Sequence, residues 1–253
     1  SNPYFARAAV NRIWSQLMGR GLIDPVDDIR ATNPASHPEL LDALADEFIE
    51  SDFRFRQIIR LICNSDAYGR ASATVPGNEH DSVYYSHFLT RGLEAEVIAN
   101  AIADVTGIEI HYGDQNASDA IRLTDNRMAS ETLDVLGRCD RAEACETPGQ
   151  NAGSLAQVLH FLNGGLLNDR IEAADGRLNT LLQSGRDDAD VIRLIYKASL
   201  SRLPTDRERV FWDSEIAKNK DPKGDWRDSQ SRQDFFADVF WGLLTSETFL
   251  TNH

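Results

Sequence analysis

The residues that most often announce chemistry are scarce in this 253-residue chain. It has three cysteines, Cys63, Cys139 and Cys145, and none of them forms a CxxC or CxxCH pair. Zinc ribbons, thioredoxin-type redox sites and covalent haem attachment therefore have no support. None of the six histidines pairs with another at metal-ligand spacing. GxSxG, HExxH, the P-loop and GxGxxG are all missing, so no phosphate cradle, nucleophile elbow or zincin helix can be read. No apolar run approaches the roughly 20 residues that cross a bilayer. Positive charge is also short: 26 Lys and Arg face 40 Asp and Glu, a net charge of −14. Such a surface repels phosphate backbones and anionic lipid, so neither nucleic acid nor a membrane surface is an expected partner.

What the chain does have is helical periodicity. Pro3 suits a first helical position, and Val10, Ile13, Trp14, Leu17 and Met18 then fall on one face before Gly19 and Gly21. Ser36 and Glu39 have capping-box spacing ahead of Leu40, Leu41, Leu44, Phe48 and Ile49. Phe55, Ile58, Ile59, Ile62 and Cys63 mark a third helix, and these three predict a compact bundle. A fourth carries Leu93, Val97, Ile98, Ala101, Ile102 and Val105, with Gly107 as its stop. Later helices follow the same logic. Val191, Ile192, Ile195 and Tyr196 come after the acidic Asp187-Asp188, a second capping box joins Thr205 to Glu208, and Phe236, Val239, Phe240, Leu243 and Leu244 close the series.

Residues 69–90 and 108–150 lack periodicity, apart from one short helix expected near 130–136. No alternating strand pattern stands out. The fold class predicted is all-α, an irregular multi-helix bundle with long loops and little or no β-structure. It reads as one domain over 1–253, with sub-bundles 1–107 and 151–253 joined by the irregular segment 108–150.

Candidate polar groups are few. Arg12, Arg91, Arg141 and Arg202 lie at or near helix boundaries, where a guanidinium can bind free carbonyls or tie segments together. With Glu96 and Asp140 they make a candidate polar network or ligand cluster. A structural network with acidic partners is the favoured reading, and an anion site the other. Three of the four tryptophans sit in apolar helical stretches, which leaves Trp226 as the aromatic expected at the surface. No catalytic residue, metal ligand or cofactor-binding residue can be named.

Several ordered stretches resemble one family. They are NPYFARAAVNRIWSQLMGRGLIDPVDDI (2–29), SHPELLDALADEFIESDFRFRQIIRLICNSDAYGRAS (36–72), RGLEAEVIANAI (91–102), SLAQVLHFLNGGLLNDRI (154–171), SRLPTDRE (201–208) and DVFWGLLTSETFLTNH (238–253). Together they are similar to the planctomycete-type C-terminal PSD domain of unknown function, found in exported proteins that often carry a cytochrome-c-like domain. The resemblance implies an exported, periplasmic or cell-surface setting. It also implies other domains of the same parent as partners, with any haem held in one of those. It carries over no catalytic residue.

Where the family tends to read Cys-Glu-Cys, this chain has Cys145-Glu146-Thr147. In an oxidising setting Cys139 and Cys145 could be bonded or close, although the geometric demands on a disulfide favour two unrelated thiols. The function expected is a non-catalytic interaction or scaffold domain. The alternative is a hydrolase-like domain acting on polysaccharide-type substrates, with its site built from 108–150 and Arg91.

Overall fold

The computed structural model describes residues 3–113, 118–125, 128–138 and 165–252, and it is mostly helical. Among the described residues there are eleven α-helices and a single two-stranded sheet. The chain divides into two compact units, Ser1–Arg91 and Gly92–Asn252.

The first unit is built on α1 (Pro3–Met18), α2 (Pro38–Glu50) and α3 (Phe55–Cys63). Val10, Ile13, Trp14 and Met18 bury the predicted face of α1 against Leu41, Leu44 and Phe48 of α2 and Ile58 and Ile62 of α3. The α1–α2 loop is fastened by the fully buried Asn11, whose amide donates to the Ile23 and Val26 carbonyls at 2.8 and 3.0 Å. Its carbonyl accepts the Ile23 N–H at 2.9 Å. One neutral side chain thus satisfies three backbone groups that the non-helical loop would leave unmet. Gly21 permits the approach, because a Cβ there would stand 2.3 Å from the Ile23 carbonyl oxygen and 3.1 Å from the Asn11 amide.

Ser36 does not form the expected box with Glu39. The helix starts one residue later than expected, His37 occupies the cap position without a side-chain bond, and the Ser36 N–H and hydroxyl both go to the Leu22 carbonyl. Satisfying the buried Leu22 carbonyl prevails over the local cap. The 69–90 loop is a loop in the structure as well. Its Asp81 carboxylate accepts the N–H groups of Val83, Tyr84 and Ser86 at 2.8–2.9 Å, and Tyr85 and Phe88 anchor it in the core.

Strand β1 (Arg91–Gly92) runs from the last residue of the first unit into the second and pairs with β2 (Thr251–Asn252), and within the second unit the Leu93 N–H donates to the Leu250 carbonyl at 2.9 Å. The helices of the second unit are α4 (Ala95–Thr106), α5 (Glu131–Val135), α6 (Gly165–Ile171), α7 (Arg177–Gln183), α8 (Asp188–Leu200), α9 (Asp206–Asn219), α10 (Ser229–Leu244) and α11 (Glu247–Leu250). Gly107 ends α4 in the left-handed conformation with φ 76°, as its position in the sequence predicts. Ile98, Ala99 and Ile102 of α4 share one core with Leu167, Ile195, Phe236 and Phe240. The sequence groups α4 with the three helices before it, whereas its apolar face is completed by helices more than sixty residues away.

The described part of the irregular segment lies on this core. Ile110, Tyr112, Ala120, Leu133 and Leu136 are all buried in it. A 3-10 turn at Ala120–Arg122 is held by Asn100, which donates to Asp119 at 2.6 Å and accepts the Ala120 N–H at 2.8 Å. The short helix expected near 130–136 is α5, capped by Ser130.

Candidate functional site: polar networks and an exposed aromatic ridge

Asp188 is a largely buried carboxylate of the second unit that gathers three donors. It stands in the first turn of α8, where the unpaired helix N–H groups favour negative charge. Its side chain is only 12% exposed and accepts Lys220 Nζ at 2.7 Å, Arg232 Nε at 2.9 Å and Trp226 Nε1 at 2.9 Å. Burial alone would raise the Asp188 carboxyl, but the bonds from Lys220, Trp226 and Arg232 outweigh it and hold the group below its ordinary value. Arg232 also donates to the Leu182 and Arg186 carbonyls, so one ion set joins α7, α8 and α10. Trp226 is therefore half-buried and not the surface aromatic expected, because its indole N–H has a carboxylate to meet. With three donors on its two oxygens, Asp188 is a structural tie and a poor base or ligand.

Arg202 caps a second network. It meets the two Glu208 carboxylate oxygens at 2.8 and 2.9 Å and lies 5.5 Å over the Tyr196 ring. Thr205 and Glu208 complete the predicted capping box. The Arg202 guanidinium, with the Thr205 N–H and hydroxyl, holds the Glu208 carboxyl down at about 2, against a smaller opposing effect of burial. Glu96 of the same unit takes no part in either network. Burial pushes the Tyr112 phenol up to about 12, so it stays protonated and cannot serve as a base near neutrality.

In the first unit Arg12 binds Asp27 at 2.5 and 2.7 Å on the surface, and Arg91 donates to the Gln16 carbonyl. Arg12 and Arg91 thus serve the α1 region of one unit, Arg202 serves a network of the other, and Glu96 joins neither. Asp140, Arg141, Cys139 and Cys145 lie outside the described residues. Among the described residues no group of three or more His, Cys, Asp and Glu could hold a metal ion, and no helix is long and apolar enough to cross a membrane.

The feature that sequence reasoning missed is an aromatic ridge on the first unit. Phe5, Phe53 and Phe55 are 55%, 41% and 53% exposed. They gather around the buried Phe48, with Phe5–Phe53 at 5.7 Å, Phe48–Phe53 at 5.4 Å and Phe48–Phe55 at 5.2 Å, all edge-on. Tyr4, Ile49 and Ile59 are exposed apolar residues of the same helices. Asp52 and Phe53 both take left-handed backbone conformations, φ 55° and 57°, and the Phe53 N–H returns to the Phe48 carbonyl at 2.8 Å. For a bulky residue that conformation costs about 1–3 kcal/mol and persists only where its surroundings enforce it. Helical spacing alone assigned Phe55, Ile59 and Ile49 to the core. They lie at the edges of apolar faces wider than the neighbouring helices can cover. The signal available was the alternation Phe53-Arg54-Phe55-Arg56 at a helix start.

A mostly helical protein with tied polar networks and a bare aromatic ridge is the class that the structure defines. The family model described as PSD1, a protein of unknown function (DUF1553), matches residues 1–213, and the chain belongs to that family. No curated protein and no solved structure matches it.

Proposed function

We propose that the chain is a non-catalytic interaction or scaffold domain of a larger exported bacterial protein, holding other domains of that parent, and the haem domain where a parent carries one, in position. The observation that carries this reading is the ridge of Phe5, Phe53 and Phe55, a contiguous exposed aromatic surface kept by a strained backbone. A polysaccharide hydrolase would need two available carboxylates flanking a sugar cleft. The best-formed carboxylates, Asp188 and Glu208, are instead taken up by cations and N–H groups, and the described part of 108–138 lies on the core.

The test is co-purification of the chain with the remaining domains of its parent, supplied separately. The intact chain should retain them, and the variant F5S/F53S/F55S should lose them while keeping its circular dichroism spectrum. Full activity and assembly of a parent lacking this domain would refute the proposal.

A further inference from the structure

The charge around the ridge is unusual for this chain. Residues 1–91 contain nine arginines and no lysine. Arg7, Arg12, Arg20 and Arg30 are each paired with an aspartate, at 3.4 Å or less. Arg70 and Arg91 donate to backbone carbonyls. Only Arg54, Arg56 and Arg60 have neither an ion pair nor a side-chain hydrogen bond among the described residues, and all three are exposed. Carboxylates are not lacking nearby: Glu47 is bonded by Gln57, and Glu50 and Asp52 precede the arginines in the chain without pairing to them.

The three free guanidinium groups are placed by the ridge itself. At about 100° of rotation per residue, α3 presents stripes in order: buried Ile58 and Ile62, then exposed Phe55 and Ile59, then Arg56 and Arg60. Arg54 stands between Phe53 and Phe55 at the helix start. An apolar strip is thus edged by a cationic one on a molecule whose net charge is −14.

We infer that this surface docks an acidic amphipathic helical segment of a protein partner, with apolar side chains seated among Phe5, Phe53 and Phe55 and carboxylates meeting Arg54, Arg56 and Arg60. The inference rests on the interaction reading above and names its chemistry. Charge complementarity favours an acidic partner, and Arg56 and Arg60, one helical turn apart, match carboxylates at the same spacing. Ring geometry favours side chains over sugars or bases. The ridge rings meet their neighbours at interplanar angles of 63°, 89° and 78°, which makes clefts between ring edges and not a flat stacking platform. The net charge of −14 works against an extended polyanion, which would be repelled beyond the footprint of three arginines.

The experiment uses the full chain and fluorescence anisotropy with labelled helical peptides of roughly 18 residues. One has Leu and Phe on one face and Glu at four-residue spacing beside it. A second replaces each Glu by Lys, and a third keeps Glu but replaces the apolar face by Ser and Gln. A single-stranded oligonucleotide is the fourth probe. The acidic amphipathic peptide should bind best, with affinity falling as salt rises. R54E/R56E/R60E should weaken it about tenfold and strengthen the lysine peptide. F53S/F55S should remove binding of both.

Equal binding of the lysine peptide overturns the acidic preference while leaving the interaction reading standing. Equal binding of the Ser/Gln peptide or of the oligonucleotide overturns it in favour of simple anion capture. No binding by the acidic amphipathic peptide also overturns it, whereas the interaction reading is judged separately by co-purification with the parent's domains.

Discussion

The two units solve the same problem with different chemistry. Each must fix long non-helical segments onto a helical core. In the core of the first the anchors are neutral: Asn11 takes three backbone partners, and the Tyr85 hydroxyl is shared between the Arg20 and Gly21 carbonyls at 3.0 and 2.9 Å, while the charged Asp81 and Arg70 organise the outer 69–90 loop. The second adds ion sets to a neutral anchor at Asn100, with Asp188 joining Lys220, Trp226 and Arg232, and Arg202 joining Glu208. Neutral hydrogen bonds inside a core avoid the cost of desolvating an ion, which suits a buried loop anchor. An ion set at 12–25% side-chain exposure keeps some hydration and can draw several separate segments to one point. The first unit then spends its remaining arginines on an open surface, while the Lys220 and Arg232 of the second are drawn inward.

Core truncations give the largest effects and test whether the units are distinct. Phe48→Ala in the first and Phe236→Ala in the second, both fully buried, should each cost about 4 kcal/mol. Hydrogen exchange should show the loss of protection confined to the altered unit, and loss across both would show that the two units unfold as one. Asp188→Ala leaves Lys220 and Arg232 without their carboxylate and should cost about 3 kcal/mol in urea denaturation. Asn11→Leu keeps the volume but strands the buried Ile23 N–H, with an expected loss of about 2 kcal/mol. A smaller loss for Asp188→Ala than for Asn11→Leu would reverse the ranking of ionic and neutral anchors.

A pH titration sharpens the charge side. The Glu208 carboxyl lies at about 2 in the folded chain against 4.5 for the ordinary group. Its contribution is therefore complete above pH 4.5 and is lost as pH falls from there towards 2. A carboxyl-carbon NMR titration should place its midpoint near 2, and a midpoint at 4.5 would show that the Arg202 pair does not persist in solution. The smallest effect belongs to Arg12→Ala. Its pair with Asp27 is 60% and 67% exposed, and its removal should change stability by less than about 0.5 kcal/mol.

Local features were legible in the sequence because they depend on residues within a turn or two. The faces of α1 and α10, the Gly107 stop, the Thr205–Glu208 box and the helix near 130–136 all follow from spacing and backbone preference. Ser36 shows where such rules give way, since a suitable cap was diverted to a carbonyl 14 residues earlier. Trp226 shows it again, its polar neighbours in the chain hiding a carboxylate 38 residues away. The candidate arginines were recognisable as boundary residues, but spacing could not name Asp27, Gln16 or Glu208 as their partners.

The helical class, the PSD1 family, the net charge of −14 and the order of most described helices can be read along the chain, because periodicity, capping and charge are properties of short stretches. Tertiary packing places α4 in the second unit, gathers three donors on Asp188, and leaves Phe5, Phe53 and Phe55 in solvent beside Arg54, Arg56 and Arg60, which have no side-chain partner among the described residues. Those outcomes depend on which faces other helices reach and cover, and coverage is settled by residues distant in the chain.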